Sequence, residues 1–443
     1  MTEFGWVFLL TVVVGYALVS KRLSRTLITG PMVFVVAGLV IGPRVIDAFD
    51  APVSNDVVGV VLEVTLALVL FTDALATDMR ALRQETFVPG RLLGIGFPLT
   101  IALGLGGALV FFGVLGFWEA AIVAVILVPT DAALGQAVVT NERVPRLVRQ
   151  GLSVESGLND GLAVPLLAIV VAQAEIAAGL EGGEELGRVF LEEIGIAIAV
   201  GLAIGWLGGK AVVLTSRRDW MGQVWRGVSV SALALLTFVL ADFLGGSGFV
   251  AAFVGGAVFG FVVRDDYPDV GEHSEGLAYT LTMLSFFIFG AIMLGPILSD
   301  MSVRVVVFAA LSLTVIRMLP VALAMTGTGL DRRTVAYLGW FGPRGLASLV
   351  FLVTIVSDTG LPNTELITVI VTVTVGLSVL VHGATAWPGS RRYADWYARL
   401  IEDGEGVIEG TDIKHLGVSK RVHPSWTREH RSASQTEVPP DTD

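Results

Sequence analysis

The sequence predicts an all-α polytopic membrane protein in which about thirteen transmembrane helices form two inverted six-helix repeats with crossed, discontinuous helices. Three observations predict it. The 443 residues are 54% hydrophobic and only 16% charged, with a mean hydropathy of +0.76, far too apolar for a water-soluble chain of this length. Basic residues recur in alternate loops between the apolar runs. Two of those runs are interrupted by proline close to a charge, at corresponding places in the two halves.

Windows of roughly 20 residues place spans near 4–20, 27–42, 57–75, 92–116, 118–140 and 151–174, then 189–214, 225–244, 246–263, 277–298, 303–325, 334–357 and 364–387. The first, "MTEFGWVFLLTVVVGYALVS", has an acid and no base before its apolar run and no small-residue cleavage site after it. It therefore reads as a retained span rather than a signal peptide. Bases follow the first span (Lys21, Arg22, Arg25), the third (Arg80, Arg83, Arg91), the fifth (Arg143, Arg146, Arg149), the seventh (Lys210, Arg217, Arg218), the eleventh (Arg332, Arg333) and the last (Arg391, Arg392). The intervening loops hold Arg44, Arg188 and Arg304, and "EIAAGLEGGEEL" is purely acidic. Because Lys and Arg stay on the cytoplasmic side, the N-terminus is expected outside a cell membrane and the C-terminus inside. The loop "RDDYPDVGEHSEG" after the ninth span dissents, being mostly acidic. Residues 1–390 form the membrane domain in this reading. Residues 391–443, which mix both charges with Pro, Ser, Gly and Thr, form a short flexible cytosolic tail.

The fifth span, "WEAAIVAVILVPTDAALGQAVVT", carries Pro129, Thr130 and Asp131 near its middle. Proline removes a backbone donor and clashes with the preceding turn, while Thr and Asp cap new helix starts, so the helix is expected to break here. Non-helical backbone at membrane depth survives only where protein or a water-lined cavity satisfies it. The twelfth span, "VAYLGWFGPRGLASLVFLVTIVSD", has a second interruption at Gly342, Pro343, Arg344 and Gly345. If the seventh span is a linker, the two broken spans are each fifth in a half and run antiparallel, the layout that marks a transporter's midplane site. Crossed half-helices bring opposite dipole ends together. Asp131, at the start of the inner half-helix, would offset the positive ends, and Arg344 or Arg317 the negative ones.

The sixth span, "GLSVESGLNDGLAVPLLAIV", places Glu155, Asn159 and Asp160 in an apolar run. At a helix centre an acid costs roughly 2.5–3.5 kcal/mol, so such residues read as functional by default. Ser156 and Asp160 share one helix face, and Glu155 and Asn159 share another turned by about 100°. Hydroxyl and carboxylate oxygens suit a small alkali cation, with Asp131 reaching the same site. Glu155 would instead pair with an arginine, because a lone buried charge is heavily penalised. If Asp160 accepts either a proton or a cation but never both, that competition is the coupling.

These residues resemble a known family. "PTD" in a broken span followed by "ESGLND" in the next is similar to the paired motifs of the monovalent cation:proton antiporters, in particular the NhaP-type electroneutral sodium/proton exchangers. "GSGFVAAFVGGAVFG", "IRMLPVA" and "GPRGLASL" resemble the same family, so the likeness covers nearly all of residues 1–390. It implies an NhaA-like fold and a homodimer whose core domain moves against a dimerisation domain. It also implies Asp131 and Asp160 as the aspartate pair, Ser156 as a cation contact, Thr130 as a backbone-oxygen contact, and a bridge from Glu155 to an arginine, with Arg317 preferred to Arg344. Asn159 before Asp160 matches the electroneutral branch, one proton per cation. One position departs: where many relatives resemble "LFEG" in the third span, with a glutamate touching the ion through water, this chain has "LFTDA", that is Thr72 and Asp73.

Other classes fit less well. The absence of cysteine excludes disulfides, iron–sulfur clusters and thiol chemistry, the five histidines form no ligand-like cluster, and no cofactor is expected. Basic residues sit mainly in loops where topology accounts for them, so no nucleic-acid partner is expected. A channel would line a continuous pore with rings from symmetric subunits, whereas here the polar residues concentrate in one cluster per chain. An intramembrane enzyme lacks a nucleophile and base. Glu63 reads as interfacial or bonded within the bundle, Asp242 as solvated, and the glycines of the ninth span as close helix packing. The expected activity is exchange of sodium, or lithium, for protons in a lipid bilayer, serving pH and sodium homeostasis. Potassium/proton exchange is the nearest alternative, and sodium-coupled symport of an organic solute a more distant one.

Overall fold

The computed structural model describes residues 1–48, 55–77, 87–131, 133–180, 183–267, 269–299 and 301–402; Arg80, Arg83 and the expected tail from 403 onward lie outside the described residues. Among the described residues there is no strand. Nine helices among the described residues are long and apolar enough to cross a membrane, and four shorter apolar helices, Gly30–Ile41, Phe117–Ile126, Gly248–Val263 and Leu346–Ser357, complete the thirteen spans. Local chemistry sets their ends. Thr2, Ser247, Ser302 and Asp331 each accept a backbone N–H of the first turn that follows, satisfying donors a helix start leaves open. After Gln223–Phe243, Gly245 turns the chain at a φ of 79°, which an L side chain rarely adopts.

Glycine contacts reveal the repeat that sequence comparison of the halves does not. In the second span, a Cβ at Gly38 or Gly42 would collide with the backbone of Phe287 and Ala291 in the tenth span. In the ninth span, a Cβ at Gly256 or Gly260 would collide with the backbone of Phe71 and Leu75 in the third. Second on tenth, and ninth on third, is one packing unit used twice with the halves exchanged. Each unit presents two glycines one turn apart, so backbones touch where lipid supplies no hydrophobic drive for larger side chains to do so. Gly201 and Gly205 of the seventh span approach the ninth in the same way.

Two boundaries differ from expectation. The last helix, Thr364–Glu402, continues through Pro388 and buries Tyr393, Ala394 and Tyr397. Tyr393 stacks on Tyr337 with ring centroids 4.2 Å apart, so the helix beyond 390 is packed on the bundle through Tyr393, Ala394 and Tyr397. In the fifth span, helix covers only Phe117–Ile126 and Gln136–Val139. Residues 127–131 and 133–135 between them are non-helical. The twelfth span divides into Arg332–Trp340 and Leu346–Asp358, separated by non-helical residues 341–345.

Candidate functional site

The two interruptions touch. The backbone N–H of Asp131 donates to the carbonyl of Pro343 at 2.8 Å, and the charged residue of each break serves the helix end of the other. Asp131 Oδ2 accepts the N–H of Leu346 at 2.9 Å, at the N-terminus of Leu346–Asp358, and its Oδ1 accepts the N–H of Ala133 at 2.7 Å. The expectation that Asp131 starts the inner half-helix is corrected: that helix begins only at Gln136, and the positive end Asp131 neutralises belongs to the twelfth span. In return, Arg344 Nη1 donates to the carbonyls of Val128 (2.9 Å) and Pro129 (3.3 Å), and Ser348 Oγ donates to the carbonyl of Ile126 (2.7 Å). The Ile126 carbonyl is one that the end of Phe117–Ile126 leaves without an intrahelical donor, and those of Val128 and Pro129 lie in the break itself. A Cβ at Gly345 would overlap the Asp131 carboxylate, so only glycine lets the two breaks close on each other.

The sixth span, Arg146–Ala177, turns Glu155 one way and Ser156 and Asp160 another, while Asn159, expected beside Glu155, joins Ser156 at Thr130. On one face Glu155 meets Arg317 in a two-pronged pair, Nη1 to Oε1 at 2.5 Å and Nη2 to Oε2 at 2.7 Å, each residue only 2% exposed. This selects Arg317, not Arg344, as the partner of Glu155. The fork geometry satisfies both carboxylate oxygens, the condition under which a buried ion pair persists. Arg317 follows the irregular turn at Thr314 within Val303–Ala324 and lies against Gly342, where a Cβ would strike its guanidinium.

Asn159 and Ser156 hold the first break. Asn159 Nδ2 donates to Thr130 Oγ1 (2.8 Å) while its Oδ1 accepts the Thr130 N–H (3.3 Å), and Ser156 Oγ donates to the Thr130 carbonyl (2.5 Å). Asp160 differs from all of these. It is 7% exposed, and its Oδ1 has no hydrogen-bond partner. It faces a cavity of about 540 Å³ that Ser156, Asp131, Thr72 and Asp73 also line. The cavity passes Gln136 and Thr140 toward the end of the bundle that carries Arg143 and Arg146, and Glu272 and Glu275 border it there. Those two acids belong to the segment that dissented from the loop rule. In the third span, Thr72 donates to its own helix, to Leu68 and Val69 carbonyls at 2.8 and 3.0 Å, leaving Asp73 as the acid presented to the cavity. The three aspartates do not converge as a chelating group among the described residues.

The description "Sodium/hydrogen exchanger, transmembrane" matches residues 8–388. The chain belongs to the sodium/hydrogen exchanger family. It is 30% identical over 282 residues to the Na(+)/H(+) antiporter NhaS2 of Synechocystis, covering 63% of this chain and 47% of that one. It is 24% identical over 343 residues to the K(+)/H(+) antiporter NhaP2 of a Shewanella strain, covering 75% of this chain and 57% of that one. The exchanger chain thus spans about half the length of these curated relatives. Among solved structures, the sodium proton antiporter MjNhaP1 of Methanocaldococcus jannaschii superposes with a TM-score of 0.69 at 20% identity, over 88% of this chain and 98% of that one. The exchanger therefore has that antiporter fold.

Three site residues escaped the sequence reading. Ser348 lies inside the quoted "GPRGLASL" but carries no charge to mark it. Ser378 Oγ accepts the Arg344 N–H at 2.7 Å, and His382 contacts Ser378 through Nδ1 (3.1 Å) and the Trp340 carbonyl through Nε2 (3.0 Å). An ionisable side chain in the apolar run "TVGLSVLVHGATAW" was the available signal for His382.

Proposed function

We propose that this chain exchanges cytoplasmic sodium, or lithium, for external protons across the cell membrane, one for one and without net charge movement, supporting pH and sodium homeostasis. One observation carries the reading: the buried Asp160, with an oxygen free of protein partners, faces a cavity beside Ser156 and Asp131. A proton or a partly dehydrated cation can complete the coordination of that oxygen, and each excludes the other. Asp131 and the Thr130 carbonyl supply further hard oxygens, while Glu155, Arg317, Asn159 and Arg344 fix the surrounding backbone. Thr72 and Asp73 act from outside the first contacts, with Asp73 in the place of the relatives' glutamate. The distribution of basic loops supports a cytoplasmic cavity mouth, with the N-terminus outside and the C-terminus inside. Glu272 and Glu275 at that mouth raise the local cation concentration. The working unit is a homodimer, as the family resemblance implies, and the exposed Phe4, Trp6, Leu10 and Leu18 of the first span offer an apolar face to lipid or to a second copy. No cofactor enters the cycle.

Potassium is the second reading, favoured by the K(+)/H(+) name of a relative that matches three-quarters of the chain and by the altered third-span acid. Proteoliposomes with an acidified interior, given Na+, Li+ or K+ outside in turn, test both. Sodium and lithium are expected to dissipate the pH gradient at a rate indifferent to a voltage clamp, with apparent KM rising as pH falls because the proton competes. Asp160→Asn is expected to abolish this, more than about 100-fold, in protein that still folds. Persistent exchange in that variant sinks the assignment of Asp160. Gradient loss only with potassium moves the reading to potassium/proton exchange, only with an organic solute to a symporter, and a voltage-reversing current to a channel.

A further inference from the structure

A second cavity, of about 440 Å³, lies at the arginine-rich end of the bundle between Arg332–Trp340 and the last turns of Thr364–Glu402 and shares no lining residue with the Asp160 cavity. Its volume is in the ~300–1,000 Å³ range of small-ligand sites. Arg333, Arg392 and Arg399 line it, and among the described residues no acid does. Asp395, on the same helix, is engaged by two arginines outside the cavity, Arg143 and Arg391. Among the described residues, none of the three lining arginines pairs with a carboxylate, so the cavity holds an excess of positive charge.

Its walls are aromatic and fixed. Arg333 lies over the Trp396 ring at 5.3 Å, the Trp340 indole N–H donates to Thr385 Oγ1 at 3.0 Å, and Tyr337 stacks on Tyr393. Tryptophan and tyrosine beside arginine is the composition of the zone where headgroups meet hydrocarbon. The lining face of the last helix, Thr385, Arg392, Trp396 and Arg399, continues at helical spacing into half-buried Val381 and Leu377. An apolar track thus leads away from a cationic pocket. A free anion would have no use for that track, whereas an anionic lipid needs both parts.

We infer that this cavity binds the phosphate headgroup of an anionic glycerophospholipid, with an acyl chain along Val381 and Leu377. Basic pockets between membrane helices recognise lipid phosphates through the same chemistry. The bound lipid ties Arg332–Trp340 to the last helix directly before the break at 341–345, and so braces that break from the membrane surface.

Thermal unfolding of the full chain in neutral detergent tests the site. Phosphatidylglycerol is expected to raise Tm, phosphatidylcholine and inorganic phosphate are not. In Arg392→Gln/Arg399→Gln the concentration of phosphatidylglycerol that gives half the shift is expected to rise roughly thirty-fold, two charges near a membrane surface being lost. The lipid-free Tm is expected to stay unchanged because both side chains are exposed. Arg392→Gln alone, with roughly a five-fold rise, serves if the double variant misfolds. Arg22→Gln/Arg25→Gln, at the same end but outside the cavity, is expected to behave as the parent. An equal loss in that control, or an equal shift from phosphatidylcholine, would reduce the effect to general attraction to lipid. An equal shift from phosphate would assign the cavity to free anions, and no shift from any would leave it to a protein segment. Each of these overturns the proposal.

Discussion

The first and second breaks are built alike and used differently. Each is anchored by the span that follows it. Ser156 and Asn159 of the sixth span hold Thr130, while Ser378 and His382 of the last span hold Arg344 and Trp340. Each anchoring pair is a serine and a longer polar side chain three or four residues on, which places both on one helix face. Beyond that the likeness ends. The sixth span adds Asp160, with an unpartnered oxygen facing a cavity, and the Glu155–Arg317 pair behind it. The last span adds neither. A near-symmetric scaffold therefore carries the unpartnered acid and the buried ion pair on one side only, and the second break serves as a brace whose base, Arg344, answers the carbonyls of the first.

If the sixth span is the loaded side, cutting its ion pair should produce the largest loss of stability in the molecule. Glu155→Gln leaves Arg317 charged and unpaired in a site with 2% exposure, and breaking such a pair costs about 3–5 kcal/mol. Replacing both partners, Glu155→Leu with Arg317→Met, should recover much of that, because no lone charge remains. Thermal unfolding of the two single variants and the double one measures it. Single variants that cost no more than about 1 kcal/mol, as an exposed pair would, defeat the claim that this pair steadies the core.

The contact between breaks comes next. Gly345→Ala pushes a methyl into the Asp131 carboxylate and must separate the two breaks or turn the carboxylate away from the Leu346 N–H. Overpacking of this kind costs about 1–3 kcal/mol. Exchange in proteoliposomes should fall by more than about ten-fold, since a shift near 1 Å at a site can cost 100-fold. Normal exchange by this variant would show that the breaks need not touch.

How legible this was in the sequence follows the kind of interaction. Spans, broken helices and the two-faced sixth helix were readable because each rests on local chemistry: apolar run length, proline in a helix, side-chain spacing. Glu155 meets Arg317 while Ser156 and Asp160 line the cavity, but Asn159, whose spacing pairs it with Glu155, instead joins Ser156 on Thr130. What could not be read was which element each charge serves. Asp131 was expected to cap its own chain segment and instead caps the twelfth span, because crossing the breaks sets Leu346 beside it. The preference for Arg317 over Arg344 as the partner of Glu155 holds, but it came from the family resemblance, since no local motif distinguishes the two arginines. Ser378 and His382 anchor backbone groups 34 and 42 residues away, and such pairings are fixed by packing alone.

The smallest prediction separates the two anchors most directly. Ser156→Ala and Ser378→Ala each delete one hydroxyl that bonds break backbone, Thr130 carbonyl in one case and Arg344 N–H in the other. Each should cost about 1 kcal/mol, the net worth of such a bond. Equal stability loss is what a shared scaffold requires. Transport should part them. Ser156 also lines the cavity with Asp160, so its loss removes an oxygen from the ion's surroundings and should raise apparent KM for sodium several-fold. Ser378 touches no part of that cavity, and its loss should leave KM within about two-fold while lowering Tm by a similar amount. If KM moves equally in both, the second break takes part in ion binding and the two breaks are not asymmetric in function; if neither moves it, Ser156 belongs with the brace and Asp160 holds the cation with Asp131 and backbone oxygen.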